Sequence, residues 1–146
     1  MSQGALFSDE PLTLIVRCDG GARGNPGPAA LGVSIVDPDG VEVAAIGKRI
    51  GETTNNVAEY SAVVTGLEKA RELGARTVVV RSDSMLLVEQ LKGRYKVKAA
   101  HLKVLHATVL EAAKAFETVT FEHVRREQNV RADELVNLAL DGVLDG

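Results

Sequence analysis

The chain has 146 residues, 45% apolar and 25% charged, with a formal net charge of −3 and one cysteine. That length allows one ordinary domain with its own core, and no apolar run nears the roughly 18 residues of a membrane span. Cys18 alone excludes internal disulfides and cysteine-pair metal or redox sites, and the acidic balance leaves nucleic-acid binding to local rather than net charge.

Residues 1–11 have no period and are expected to form a flexible N-terminal tail, with the domain over 12–146. No basic segment followed by an apolar one opens the chain, so a cytoplasmic protein without membrane contact is expected, and a monomer. Leu12–Cys18 is the first predicted strand, ending in Asp19 and a Gly/Pro-rich turn through Pro28. Ala30–Val36 is the second, and Pro38-Asp39-Gly40 is a hairpin signal leading to a third, Val41–Ile50, broken by Gly51. From Thr54 to Leu73, Val63, Gly66, Leu67, Ala70 and Leu73 recur at three and four, the period of an amphipathic helix. A strand over Thr77–Val80, a short helix over Ser84–Leu91, a helix over Ala99–Ala115, a strand over Val119–Val124 and a helix over Val130–Leu140 follow. The order β-β-β-α-β-α-α-β-α, a meander followed by alternation, implies a mixed α/β sheet with parallel pairing in its second half.

Four acids stand at informative places in that frame. Asp19 follows the first strand, as a turn-capping residue or as a ligand. Glu59 is four residues before Val63, on the stripe that faces the sheet, where a carboxylate is costly unless paired or bound to a cation; the alternative is an acid at the stripe's edge, favoured by the helix dipole. Asp83 ends the fourth strand, where ligands gather in open α/β sheets, although Ser82-Asp83-Ser84 is also a sound helix N-cap. Parallel pairing of the first and fourth strands puts Asp19 and Asp83 at one edge. Asp133 lies in the first turn of the last helix, on a flank shared with Asn137, again with a dipole alternative. Four carboxylates at the mouth of one sheet repel unless cations are present, and such hard oxygen ligands suit Mg²⁺ or Mn²⁺ rather than zinc.

The segments Asp19-Gly-Gly-Ala-Arg-Gly-Asn-Pro-Gly-Pro28, Thr53-Thr-Asn-Asn-Val-Ala-Glu-Tyr60, Ser82-Asp-Ser84 and Asn129-Val-Arg-Ala-Asp-Glu-Leu135, in this order and spacing, closely resemble type 1 ribonuclease H over Leu12–Leu140. The resemblance implies the ribonuclease H-like fold, a five-stranded mixed sheet of order 3-2-1-4-5 flanked by helices. It implies an endoribonuclease that cuts the RNA strand of RNA/DNA hybrids, leaving 5′-phosphate and 3′-hydroxyl ends. Asp19, Glu59, Asp83 and Asp133 would hold two Mg²⁺ ions, with Mn²⁺ as a substitute and Asp19 as the bridging ligand. It also places Gly20 at the substrate, Gly21, Ala22, Gly24, Asn25, Asn55 and Asn56 reading RNA 2′-hydroxyls, and Thr54 with Asn25 at a DNA-strand phosphate. Helix capping is a further use for Thr54-Asn55-Asn56. A P-loop or dinucleotide site does not fit, since neither Gly-Lys-Ser/Thr nor a helix directly after the turn is present.

Two departures from the best-studied bacterial members stand out. In place of a long basic insertion there is only Lys92-Gly-Arg-Tyr-Lys-Val-Lys98; if extended, Lys92, Arg94, Lys96 and Lys98 share one face as a phosphate-binding edge, the alternative being a solvated connector. The loop before the last helix carries Arg126-Glu127-Gln128 and no histidine; His123 is expected to be structural, and His101 and His106 to be ordinary surface or groove-side residues. Another nuclease of this fold is disfavoured by the glycine and Asn segments, and a non-catalytic binding module by the presence of all four carboxylates.

Overall fold

The computed structural model describes residues 12–143, so the tail expected over 1–11 and the last residues of the domain expected over 12–146 lie outside the described residues. The chain runs β1 (Thr13–Ala22), β2 (Gly27–Val36), β3 (Glu42–Thr53), α1 (Asn55–Glu72), β4 (Thr77–Ser82), α2 (Met85–Leu91), α3 (Ala100–Ala113), β5 (Thr118–His123), a 3₁₀ turn (Arg126–Gln128) and α4 (Val130–Leu140). The sheet order is β3-β2-β1-β4-β5. β1 is antiparallel to β2, and β2 to β3, while β1–β4 and β4–β5 are parallel, the mixed sheet expected from a meander followed by alternating elements.

Strand periodicity sorts the two faces. Leu14, Val16 and Cys18 of β1 are buried in the larger core with Val63 and Leu67 of α1, Leu87 and Leu91 of α2, and Leu102 and Val109 of α3. The opposite face meets α4 through a smaller cluster of Ala30, Val136 and Ala139. On α4 the buried residues are Ala132, Leu135, Val136 and Ala139, whose spacing of i, i+3, i+4 and i+7 lays one face of the helix against the sheet. Among the described residues no helix is long and apolar enough to cross a membrane.

Two boundaries beside the acids differ from the sequence expectation. β1 does not end before Asp19: Asp19, Gly20, Gly21 and Ala22 pair with Gly32, Leu31, Ala30 and Ala29, so the glycines after the acid are strand and the turn proper is only residues 23–26. Hydrogen bonding to a neighbouring strand outweighs the local preference of glycine for turns. Nor does Gly51 end β3. The register shifts between Ala29 and Ala30, which face Gly51 and Arg49, and Gly51 at φ +84° takes up the extra residue as a bulge. The strand continues to Thr53 and delivers Thr54, whose hydroxyl accepts from the Val57 N–H at 3.2 Å and caps α1.

Two glycines set how closely the helices approach. A Cβ on Gly20 would lie 2.3 Å from the carbonyl carbon of Ala58 in α1, and one on Gly32 would lie 2.2 Å from the carbonyl oxygen of Ala132 in α4. Because the obstruction is backbone, no rotamer relieves it. Gly32→Ala is expected to lower the melting temperature by at least about 5 °C, the overpacking cost of a few kcal/mol; differential scanning calorimetry checks it, and an unchanged melting temperature would show that α4 can lift off without penalty.

Candidate active site

Those two close approaches place two of the four acids. Glu59 follows Ala58, the residue against Gly20, and Asp133 follows Ala132, the residue against Gly32, which is itself the β-partner of Asp19. Each helix therefore presses an alanine backbone onto a strand glycine and presents the next residue, a carboxylate, toward β1. The third pairing comes from strand register: Cys18 is aligned with Ser82 in the parallel β1–β4 pair, so Asp19 and Asp83 follow side by side. Capping does not explain Asp83. The cap of α2 is Ser84, whose hydroxyl accepts from Leu87 N at 3.2 Å, and the Ser84 N–H is taken by Ser82 Oγ at 3.1 Å.

Asp19, Glu59, Asp83 and Asp133, with Asn55 and Arg126, line one cavity of about 300 Å³, and Gly20, Gly21 and Ala22 form its β1 wall. Burial, then the charges of Asp83 and Asp133, push the Asp19 carboxyl up to about 8, with Asp133 close enough to share a hydrogen bond; a bond from the Gly20 N–H acts weakly the other way. Burial, followed by Asp83, pushes Glu59 up to about 7 against a hydrogen bond from Ser84. Asp83 is raised by burial and then by Asp133, opposed by the nearby charges of Arg126 and His123.

Such a set holds protons tightly for want of positive charge. Its donors are all hard carboxylate oxygens, and the cations that act on it, Arg126 and His123, reach only Asp83 among the raised groups. That chemistry fits a divalent ion of the Mg²⁺ or Mn²⁺ class. In the rotamers of the structure, no three His, Cys, Asp or Glu side chains among the described residues are placed to hold one ion, and Mg²⁺ commonly takes only one or two carboxylates, completing its shell with water or phosphate.

The β1–β2 turn is stitched to the start of α1. Asn55 Oδ1 accepts from the Ala22 N–H at 2.7 Å, and Asn25 Oδ1 accepts from the Asn55 N–H at 3.0 Å. Since the partners are backbone donors, both side-chain oxygens are engaged, and the Nδ2 groups remain as donors. Gly24, at φ +89°, forms the tip of this turn. Asn56 points elsewhere, into a groove of about 580 Å³ on the other side of the α1 N-terminus, walled by Arg94, Tyr95, Lys96 and Lys98.

The basic connector is not the extended edge expected from its alternation. Gly93 at φ +80° turns the chain after α2, and the Glu89 carbonyl accepts from both Arg94 N (2.9 Å) and Tyr95 N (3.2 Å). Helix-terminal hydrogen bonding thus curls the first half of the segment. Lys92 is consequently turned into a separate groove beside Val119, Phe121 and Glu122, while Arg94 borders both grooves and pairs with Glu89 at 3.6 Å. Lys96 and Lys98 remain with Asn56.

Several residues that sequence reasoning passed over also belong to the site. Arg23 reaches from the turn to Asp141 (2.7 Å) and Asn137 (3.4 Å), closing the cavity over α4. Asn129 is fully buried and donates Nδ2 to the Cys18 carbonyl at 2.8 Å, tying the start of α4 to the peptide that precedes Asp19. A lone asparagine before an apolar helix reads as a cap, and Asn129 makes no side-chain cap bond. His123 is exposed at the end of β5, opposite Ser82 and acting on Asp83, rather than structural; His106 is partly buried, against Tyr60 and the Gln90 carbonyl. A larger groove of about 770 Å³ runs between α1 and α3 past Leu67, Arg71, Val104 and Glu111, and holds none of the sequence motifs.

Comparison with known proteins bears on this geometry. Residues 17–139 match the family model described as reverse transcriptase-like. A bifunctional protein of Mycobacterium tuberculosis is 43% identical over 131 residues, which are 89% of this chain and 36% of that protein, so the chain spans little more than a third of that relative's length. Ribonuclease HI of Halobacterium salinarum is 42% identical over 123 residues, 84% of this chain and 62% of that protein. The solved N-terminal RNase H domain of the M. tuberculosis protein superposes with a TM-score of 0.87 at 41% identity, covering 90% of this chain and 95% of that one. LC11-RNase H1, isolated from compost and solved in complex with RNA/DNA hybrid, superposes with a TM-score of 0.85 at 45% identity, covering 89% of this chain and 98% of that one.

Proposed function

The chain belongs to the type 1 ribonuclease H family, in the compact form without the basic insertion, and from that footing we propose that it hydrolyses the RNA strand of RNA/DNA hybrids, leaving 5′-phosphate and 3′-hydroxyl ends. The observation that carries the proposal is the convergence of Asp19, Glu59, Asp83 and Asp133 on one cavity, with close-approach glycines and Asn55 in its lining.

A pair of Mg²⁺ ions, or Mn²⁺ in their place, supplies when bound an acidified attacking water and charge neutralisation at the leaving 3′ oxygen. Asp19, whose carboxyl feels both Asp83 and Asp133, would hold the ions together with Glu59, Asp83 and Asp133, as the ligand common to both. Arg126 sits at the mouth beside Asp83, where its fixed positive charge draws in a phosphodiester. Gly20 gives its open side to α1, whereas the bare backbone of Gly21, with Ala22, lets a ribose lie against β1, and the Nδ2 groups of Asn25 and Asn55 donate to its 2′-hydroxyl or to phosphate. Gly24 shapes the turn that holds Asn25, and Thr54 both caps α1 and adds a hydroxyl beside it. Across the α1 N-terminus, Asn56, Arg94, Lys96 and Lys98 line a groove suited to the backbone of the DNA strand. Lys92, outside that groove, contributes at longer range.

The test is incubation with end-labelled RNA/DNA hybrid, matched duplex DNA and duplex RNA, each with Mg²⁺, Mn²⁺ or chelator. Metal-dependent cleavage confined to the RNA of the hybrid is expected. Comparable cutting of duplex DNA would refute the specificity assigned to the Asn and glycine segments.

A further inference from the structure

Gln90 is one of few buried polar side chains outside the carboxylate cavity, and the proposed reaction makes no use of it. A buried amide is costly unless its donors and acceptor are all engaged. Its Oε1 accepts from the Tyr60 hydroxyl at 2.6 Å, and its Nε2 reaches the Lys96 carbonyl at 3.4 Å. Its own carbonyl meets His106 Nε2 at 3.0 Å, and the His106 ring stands edge-on to Tyr60 with centroids 6.4 Å apart. Gln90 thereby joins α1, through the residue after Glu59, and α3 to the second half of the basic connector.

That half has little else to shape it. The helix-terminal carbonyls of α2 hold Lys92 to Tyr95, and α3 begins at Ala100, but residues 96–98 have no regular secondary structure. Val97 packs against the core, and the Gln90 amide meets the Lys96 carbonyl from inside. Together they aim Lys96 and Lys98 into the groove they share with Asn56. We propose that Gln90 is a positioning residue for hybrid binding: held by Tyr60, it fixes the Lys96–Lys98 backbone so that both ammonium groups meet the DNA-strand phosphates together. The inference rests on the hybrid-cleaving reading and concerns the affinity of that site, not its chemistry.

The informative variant is Gln90→Met with Tyr60→Phe, which keeps both shapes and leaves no hydroxyl unsatisfied. Thermal melts establish that it folds. Steady-state cleavage then separates KM from kcat, and hybrid binding by fluorescence anisotropy in chelator, over a range of salt, gives the slope that counts phosphate contacts. A KM raised about 5- to 10-fold, kcat within about twofold, and a salt slope smaller by about 1 to 2 are expected. Adding Lys96→Ala and Lys98→Ala should then lower affinity far less than in the wild-type background, as expected for residues acting as one unit. A folded variant with unchanged KM and slope overturns the inference while leaving the activity intact, and so does a fall in kcat alone. Binding that loses slope in the variant, in a protein that never cleaves the hybrid, supports the positioning role and removes the activity instead. Wild-type protein that shows no salt-dependent binding overturns both.

Discussion

Asp19→Asn is expected to slow hybrid cleavage by at least about 10³-fold, the factor that corresponds to roughly 4 kcal/mol of lost transition-state stabilisation, and to raise the melting temperature of the protein in chelator. The two effects have one cause. Asp19 faces Asp83 and Asp133 from a largely buried position, and its carboxyl is pushed up to about 8 by desolvation and by those two charges. The amide of asparagine keeps the shape and can still accept from the Gly20 N–H, but it removes the negative charge that a divalent cation needs and that the neighbouring acids oppose. Opposite signs in activity and stability are the mark of a group kept for function at a cost to the fold. An acid serving only as a turn residue behaves differently, since its loss lowers stability and leaves cleavage untouched. Single-turnover cleavage with excess enzyme, beside thermal melts in chelator, reads both quantities. Asp19→Asn that cuts the hybrid at the wild-type rate would rule out the assigned mechanism.

Much of this site could be read before any coordinates, and what could not has a physical pattern. Glu59 was legible because it lies on the apolar stripe of α1, where a charge needs a reason. The alignment of Asp19 with Asp83 followed from the parallel order of β1 and β4. Local propensity misled where nonlocal pairing decides: Gly20, Gly21 and Gly51 read as turn or breaker, yet all three lie in strands, because ladder hydrogen bonds and a bulge absorb them. The connector failed in the opposite direction. Its alternating lysines suggest an extended edge, but Gly93 closes α2 and throws Lys92 into another groove. Asn129 and Gln90 carry no periodic signal at all, for their value lies in a Cys18 carbonyl and a Tyr60 hydroxyl contributed by distant parts of the chain. Contacts made by single polar atoms across the fold are the part a one-dimensional pattern does not encode.

In chelator, the protein is expected to lose stability as pH rises from 6 to 9, and added Mg²⁺ is expected to return it. The sign follows from proton counting. Asp19 and Glu59 release their protons near 8 and 7 in the folded state, whereas the same groups release them near 4 in the unfolded chain. Between those values the native state binds more protons, so unfolding free energy falls with pH, and the loss is complete once pH passes about 8. Asp83 shifts in the same direction, tempered by Arg126 and His123. Because the acids titrate as a coupled set, the drop from pH 6 to 9 is about 2–4 kcal/mol, or roughly 10 °C in melting temperature for a chain of this size. A divalent ion competes with those protons. Millimolar Mg²⁺ should therefore raise the melting temperature strongly at pH 9 and weakly at pH 6, by mass action on the folded state. Ordinary surface carboxylates titrate below this window and contribute little to it. Thermal melts at the two pH values, with chelator and with Mg²⁺, test the coupling; a melting temperature in chelator that stays level or climbs toward pH 9 would mean that the four acids are already relieved of one another by solvent.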